Sequence, residues 1–223
     1  MISHLTNNET YFFRESPQLQ VFADPILRDI KERKVAAGDR VLRVLSAGCS
    51  SGEEVHTLGM IIHDSGQFFW NWDVQVIGMD VDQVALEKAR RAVYHHNSFR
   101  SLSPAVKERH FVAAGGAAAQ VKEPIRRLVR FRAGNIVDAA SYMGLPRLDV
   151  IFCRNVLIYF SDAMILKVVR LFHDALVPGG YLFLGHAESL SRITDLFTPI
   201  RFQGAMIYRK EGPRDERAPA PAP

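Results

Sequence analysis

Several polar side chains in this sequence stand at the ends of apolar runs, where a chain leaves its core and can meet a ligand. The first are Glu53 and Glu54, directly after the glycine-bearing string Ala47-Gly48-Cys49-Ser50-Ser51-Gly52. The others are Asp80, Asn135 and the pair Arg154-Asn155, each following another apolar run. A glycine turn that opens a helix offers backbone N–H groups to an anion, and a nucleotide phosphate would use them. Two carboxylates in that place repel phosphate. A ligand with a cationic end suits them better, and S-adenosylmethionine carries both an ammonium and a sulfonium. The competing reading is that Glu53 and Glu54 only complement the helix dipole, worth about 0.3–1 kcal/mol each. Asp80 stands where an acid accepts hydrogen bonds from ribose hydroxyls, although it could equally cap the next helix, a role open to Asp82 as well. Asn135 suits either a contact with adenine or ribose, or simple turn chemistry with Gly134. Taken together, the acidic positions favour an adenosine ligand without a pyrophosphate.

The string Cys153-Arg154-Asn155-Val156-Leu157-Ile158-Tyr159-Phe160 narrows the chemistry further. It is not the Asn/Asp-Pro-Pro-Tyr of base amino-methylation, and Cys153 lacks the Pro-Cys setting of cytosine methylation. Both points argue against a nucleic-acid substrate.

Positioning these residues requires strands that end where they begin. Short apolar runs predict strands at 40–47, 74–79, 128–133, 148–153, 180–185 and 204–209, with Pro178-Gly179-Gly180 as a turn ahead of the fifth. Helical spacing marks 53–63, a stretch after Asp82, and 162–176, while 17–37 reads as one helix before the first strand. Such alternation predicts an α/β fold: a doubly wound, mostly parallel sheet with helices on both faces. The organisation read from the chain is 1–38 for the opening segment and leading helix, 39–211 for the main domain, and 212–223 for an Ala/Pro-rich linker or tail. Residues 98–127 fall outside the rhythm and are long enough to hold a small insertion.

Composition sets the outer bounds. The chain has 223 residues, 48% hydrophobic and 23% charged, with a mean hydropathy of -0.03, which suits one globular core. The 28 basic against 24 acidic residues leave +4, too slight an excess to mark a nucleic-acid binder. Arg126, Arg127, Arg130 and Arg132 could guide an acidic partner, but a solvated face explains them as well. Two cysteines, Cys49 and Cys153, make no disulfide framework and read as reduced small hydrophobes; the eight histidines show no ligand spacing, so no metal is expected. The sequence shows no secretory signal and no apolar run long enough to span a bilayer. A cytoplasmic, soluble protein is the expectation.

The motifs resemble those of the CheR-type chemotaxis receptor methyltransferases, in order, from Asn8 to Tyr208. They comprise Asn8-Glu9-Thr10-Tyr11-Phe12-Phe13-Arg14, the turn Ala47 to Glu54, Gly78-Met79-Asp80-Val81-Asp82, the string Asp149 to Phe160, and Pro178-Gly179-Gly180-Tyr181-Leu182-Phe183-Leu184-Gly185-His186-Ala187-Glu188-Ser189. The resemblance implies a Rossmann-like S-adenosylmethionine-dependent methyltransferase fold with a small β-subdomain at 98–127. It implies methyl transfer from S-adenosylmethionine to glutamate carboxylates of methyl-accepting chemoreceptor helices, leaving S-adenosylhomocysteine. Carried over position by position, Asn8, Thr10, Arg14, Gly48, Glu53, Asp80, Asn135, Ile136, Arg154 and Asn155 match cofactor-binding positions. Tyr159, Arg154 and Arg14 are the candidates for the reacting centre, and Glu53 is the expected partner of the methionyl ammonium. Phe12 and Phe13 are expected to pack rather than touch ligand.

Departures from the pattern set further expectations. Family members usually carry a helical domain ahead of the first signature, and here seven residues precede Asn8. The glycine-rich piece of 98–127 lacks a basic Arg-Gly pattern, so no tether to a receptor C-terminal peptide is expected. The Ala/Pro tail is compatible with a linker to a further domain. Neither nucleic acid nor direct membrane insertion is expected. Two other readings share the fold: a cofactor-binding scaffold, and a methyltransferase with another acceptor.

Overall fold

A computed structural model describes residues 10–212. Its main sheet has seven strands in the order β6-β2-β1-β7-β8-β10-β9. These are β1 (Val41–Ala47), β2 (Asp73–Asp80), β6 (Val129–Ala133), β7 (Leu148–Cys153), β8 (Leu176–Leu184), β9 (Thr198–Phe202) and β10 (Ala205–Arg209). The first five strands of that order are parallel, and β10 and β9 add an antiparallel hairpin at the far edge. Order reverses between β1 and β7, the place where open α/β sheets bind ligands.

Alternate residues of the central strands feed two separate cores, as the period of a pleated strand requires. Val44, Val76, Val150 and Phe152 pack on one face with Leu27 and Ile30 of α2 (Leu27–Ala36) and Leu58 of α3 (Glu53–Asp64). Leu45, Ile77, Ile151 and Cys153 pack on the other with Val168, Val169 and Phe172 of α7 (Asp162–Ala175).

A second sheet, antiparallel and three-stranded, has the order β3-β5-β4: β3 is Val93–Tyr94, β4 Phe111–Ala113 and β5 Ala119–Val121. Its strands lie between α4 (Gln83–Arg91) and α6 (Glu123–Leu128), with α5 (Pro104–His110) preceding β4. Phe12 is fully buried in this unit, its ring edge-on to Tyr94 at 4.8 Å and to Phe111 at 5.0 Å. Burying a phenylalanine is worth about 1.5–3 kcal/mol, so the opening segment is anchored by packing as well as by polar contacts.

Three expected elements differ in detail. The single helix at 17–37 is two, α1 (Ser16–Val21) and α2, because Pro25 drives Asp24 out of the helical region to φ -162, ψ 121. Pro178-Gly179-Gly180 lies inside β8 as a bulge: the partner strand advances from Leu148 to Val150 while β8 advances from Leu176 to Tyr181. Strand β9, Thr198–Phe202, has no counterpart among the expected strands. The tail beyond 212 lies outside the described residues.

Candidate functional site

The carboxyl ends of β1, β2, β6 and β7 border a cleft of ≈ 880 Å³. Its floor is the turn after β1. Gly48 and Cys49 donate their N–H groups to Met79 O at 2.8 and 3.1 Å. Gly48 has φ +79, and a Cβ there would meet Val156 Cγ2 at 2.6 Å, so only glycine lets the turn pack on the segment after β7.

Asp80 organises this floor. Its carboxylate accepts from the N–H of Ser50 at 2.7 Å and of Asp82 at 2.9 Å. Asp82, not Asp80, caps α4, accepting from Val84 and Ala85 N–H groups. Each carboxylate oxygen has two lone pairs, so Asp80 retains capacity for hydroxyl donors at the cleft.

The two adjacent glutamates have separate fates. Consecutive helical residues point about 100° apart, so only one of the pair can face the ligand side. Glu54 lines the cleft; Glu53, the expected ammonium partner, does not. The Glu53 carboxylate is buried between Ser51 Oγ at 2.8 Å and Ser98 Oγ at 2.9 Å, and burial pushes its pKa above the usual carboxylate range. Glu54 accepts from Ser46 Oγ and from Arg154 Nε, both at 2.8 Å.

Arg154 joins the walls of the cleft. With its side chain 3% exposed, it donates through Nε to Glu54 and through Nη2 to the Arg14 carbonyl at 2.8 Å. Its Nη1 is buried and has no protein partner. A guanidinium N–H left unsatisfied beside a cleft is costly to the protein alone and is suited to an anionic ligand group.

The opening segment forms the remaining wall, with Thr10, Tyr11 and Arg14 lining it. It is fixed by Phe12 N–H on Ser98 O at 3.0 Å and Phe13 N–H on Thr57 Oγ1 at 3.2 Å. Glu15 ties it to the opposite side, accepting from Asn155 Nδ2 at 3.2 Å and His186 N–H at 3.3 Å. Arg100 stacks over the Tyr11 ring at 3.9 Å.

Thr10, Arg14, Gly48, Asp80, Asn135, Ile136, Arg154, Asn155 and Tyr159 all line this one cleft. Asn8 lies outside the described residues. Asn135 makes turn chemistry with its Oδ1, which accepts from Val137 N–H at 3.2 Å, and still borders the cleft. Tyr159 is half-exposed. Tyr11, Phe160 and Met164 also line the cleft, and no spacing rule marks them in the sequence. The four arginines at 126–132 are not among the lining residues; Arg127 pairs with Glu123 and Arg130 donates to nearby carbonyls.

Comparison with known proteins agrees with this geometry. Residues 8–206 match the family described as CheR methyltransferase, SAM binding domain. The chain belongs to the CheR methyltransferase family. This CheR domain is 36% identical over 220 residues to chemotaxis protein methyltransferase 2 of Vibrio cholerae, covering 98% of the present chain and 75% of the relative. It is 38% identical over 211 residues to a chemotaxis protein methyltransferase of Vibrio parahaemolyticus, covering 93% and 74%. A solved O-methyltransferase family protein from Burkholderia thailandensis shares the fold, with a TM-score of 0.53 at 12% identity over 90% of this chain and 57% of that one.

The CheR domain is therefore an S-adenosylmethionine-dependent methyltransferase with a Rossmann-like fold. The cleft fits the cofactor: it offers an acid at the end of β2 for ribose hydroxyls, apolar Ile136 and Val137 for a base, and a buried ion pair with an unpartnered N–H. No helix among the described residues is long and apolar enough to cross a membrane.

Proposed function

We propose that this CheR domain methylates glutamate side chains on the cytoplasmic signalling helices of methyl-accepting chemoreceptors, giving glutamate methyl esters. When bound, S-adenosylmethionine supplies a methyl on a sulfonium; a carboxylate oxygen forms the new C–O bond as the C–S bond breaks, the electron pair staying on sulfur. No proton has to move.

That balance matches the cleft. Among the described residues no histidine or lysine lines it, and Cys49, which does, is a thiol pushed well up by burial and by the charge of Asp80. The acid Glu54 is held by Arg154. An amine acceptor would have to lose a proton before attack, whereas a carboxylate arrives ionised at neutral pH. Membership of the CheR methyltransferase family over residues 8–206 is the observation that carries the assignment of a carboxylate acceptor, and a lining without histidine or lysine among the described residues suits an acceptor that needs no deprotonation.

On this reading Glu54 and Arg154 form a buried zwitterion that complements the zwitterionic methionyl end, Glu54 towards the ammonium and the Arg154 Nη1 donor towards the carboxylate. Asp80 receives the ribose hydroxyls, Asn135 and Ile136 border adenine, and Thr10, Gly48 and Asn155 complete the binding wall. Tyr159 and Arg14 stand at the acceptor side and orient the incoming carboxylate while water is excluded. The setting for such a reaction is the cytoplasm.

Incubation of the protein with methyl-labelled S-adenosylmethionine and a receptor signalling domain should place label on the receptor and release it as methanol in base. Base-stable label would indicate another acceptor, and tight cofactor binding without transfer would indicate a scaffold.

A further inference from the structure

Glu188 follows β8 and is 8% exposed. Its Oε1 accepts from the backbone N–H groups of Val156 at 2.9 Å, Leu157 at 2.7 Å and Ile158 at 3.3 Å. Its Oε2 accepts from Asn155 N–H at 3.0 Å and Gly185 N–H at 2.5 Å. One anion thus gathers the successive N–H groups of 155–158, the stretch that delivers Tyr159 to the cleft.

The surroundings are built for this approach. A Cβ at Gly185 would lie 2.7 Å from Glu188 Oε2 and 2.8 Å from Asn155 N, so a side chain there would displace the carboxylate or the strand end. Asn155 sits at φ +59, a left-handed conformation that asparagine tolerates and that exposes its N–H to the acid. The single turn Leu157–Tyr159 borders, through Leu157 and Ile158, a second cavity of ≈ 640 Å³ that Glu188 also lines. The turn therefore has space into which it can shift if the carboxylate releases it.

We propose that Glu188 is a positioning residue for methyl transfer: its carboxylate sets the 155–158 backbone and, through it, the place of Tyr159. The proposal rests on the reading of Tyr159 given above. Of the residues assigned to the cofactor, Glu188 bonds only the backbone N–H of Asn155, while Glu54, Asp80 and Arg154 do not bond it, so its loss should be felt in turnover more than in cofactor affinity. Glutamine in its place brings an NH2 group against N–H donors and removes the charge that holds them.

The test compares wild type, Glu188→Gln, Tyr159→Phe and the double variant, measuring kcat and KM with a receptor signalling domain, S-adenosylhomocysteine Kd by calorimetry, and Tm. Glu188→Gln should lower kcat roughly 10- to 100-fold, the range that ångström-scale misplacement gives, with Kd within about threefold. In the Tyr159→Phe background the same change should cost less than about twofold more. Glu188→Asp keeps the charge, should fall between, and carries the test if the amide variant fails to fold. Losses that multiply in the double variant, a Kd that rises in step with the kcat loss, or an unchanged kcat beside an impaired Tyr159→Phe would each overturn the proposal. A Tyr159→Phe protein with wild-type kcat would instead refute the reading of Tyr159, and the proposal with it.

Discussion

The two walls of the cleft are held in different ways. The floor built from β1 and β2 is fixed within one strand pair, by its register, and by a helix cap: Gly48 on Met79, Ser50 on Asp80, Asp82 on its own helix. The wall after β7 depends on acids from other elements, Glu188 beyond β8 and Glu15 in the opening segment, the latter 140 residues away in the chain. A floor fixed within one strand pair suits the constant task proposed for it, holding a cofactor. A wall held by acids from other elements can set where an acceptor meets the methyl group, and changes there should alter turnover before affinity.

Arg154 spans both walls, so its replacement should have the largest effect. Arg154→Leu leaves Glu54 charged and half-enclosed without its partner, a loss of about 3–5 kcal/mol in stability for a buried pair, together with loss of S-adenosylhomocysteine binding. Chemical denaturation and calorimetry check both. If Arg154→Leu keeps wild-type affinity, the walls do not act together.

The pH response probes the floor from beneath. His56 lies fully buried under the turn with Nδ1 3.0 Å from Gly52 O and from Tyr94 Oη, and burial pushes its pKa down to about 4. Its folded value is below its unfolded one, so the associated stability is present above about pH 6.5 and is lost as pH falls towards 4. The loss is on the order of 3 kcal/mol, and His56→Gln should flatten this acid limb in denaturation curves taken across that range.

The paired glutamates give a sharper contrast within the floor. Glu54→Gln should weaken S-adenosylmethionine binding roughly 10- to 100-fold, the scale of one charge-assisted hydrogen bond. Glu53→Gln, whose carboxylate bonds Ser51 and Ser98, should change affinity by less than about threefold and act mainly on Tm. The reverse order would return the ammonium site to Glu53. Smallest is Glu15→Gln on the remote wall: losing charge on two long contacts should cost about 0.5–1.5 kcal/mol and reduce kcat more than affinity.

The sequence made the central strands and the cleft floor readable because their signals are local. Buried parallel strands are continuous apolar runs, and a glycine turn between strand and helix marks its own place. The break at Asp24-Pro25 had a local signal too, since proline restricts the residue before it, but helical spacing on both sides masked it. The choice between Glu53 and Glu54 is a matter of helical phase, which composition at a turn does not fix. Strand β9, Thr198–Phe202, carries Pro199 and little alternation, and is a strand because β10 pairs with it. Glu188 stood in a recognisable string, yet its work depends on N–H groups some thirty residues earlier, a relation only the fold creates.

The strap at residues 14–15 has a consequence for how the molecule comes into being. Arg14 and Glu15 meet Arg154 and Asn155 across 140 residues of chain, and Glu15 meets His186 across 171. Contacts of such separation pay their loop-closure entropy late, after the sheet between them exists. During synthesis at about 5–20 residues per second, the strap waits on the order of ten seconds or more for its partners to leave the ribosome. The complete cleft therefore waits until the chain has been made through Glu188, and a chain stalled before β8 would have made the floor without the acid that holds the wall after β7.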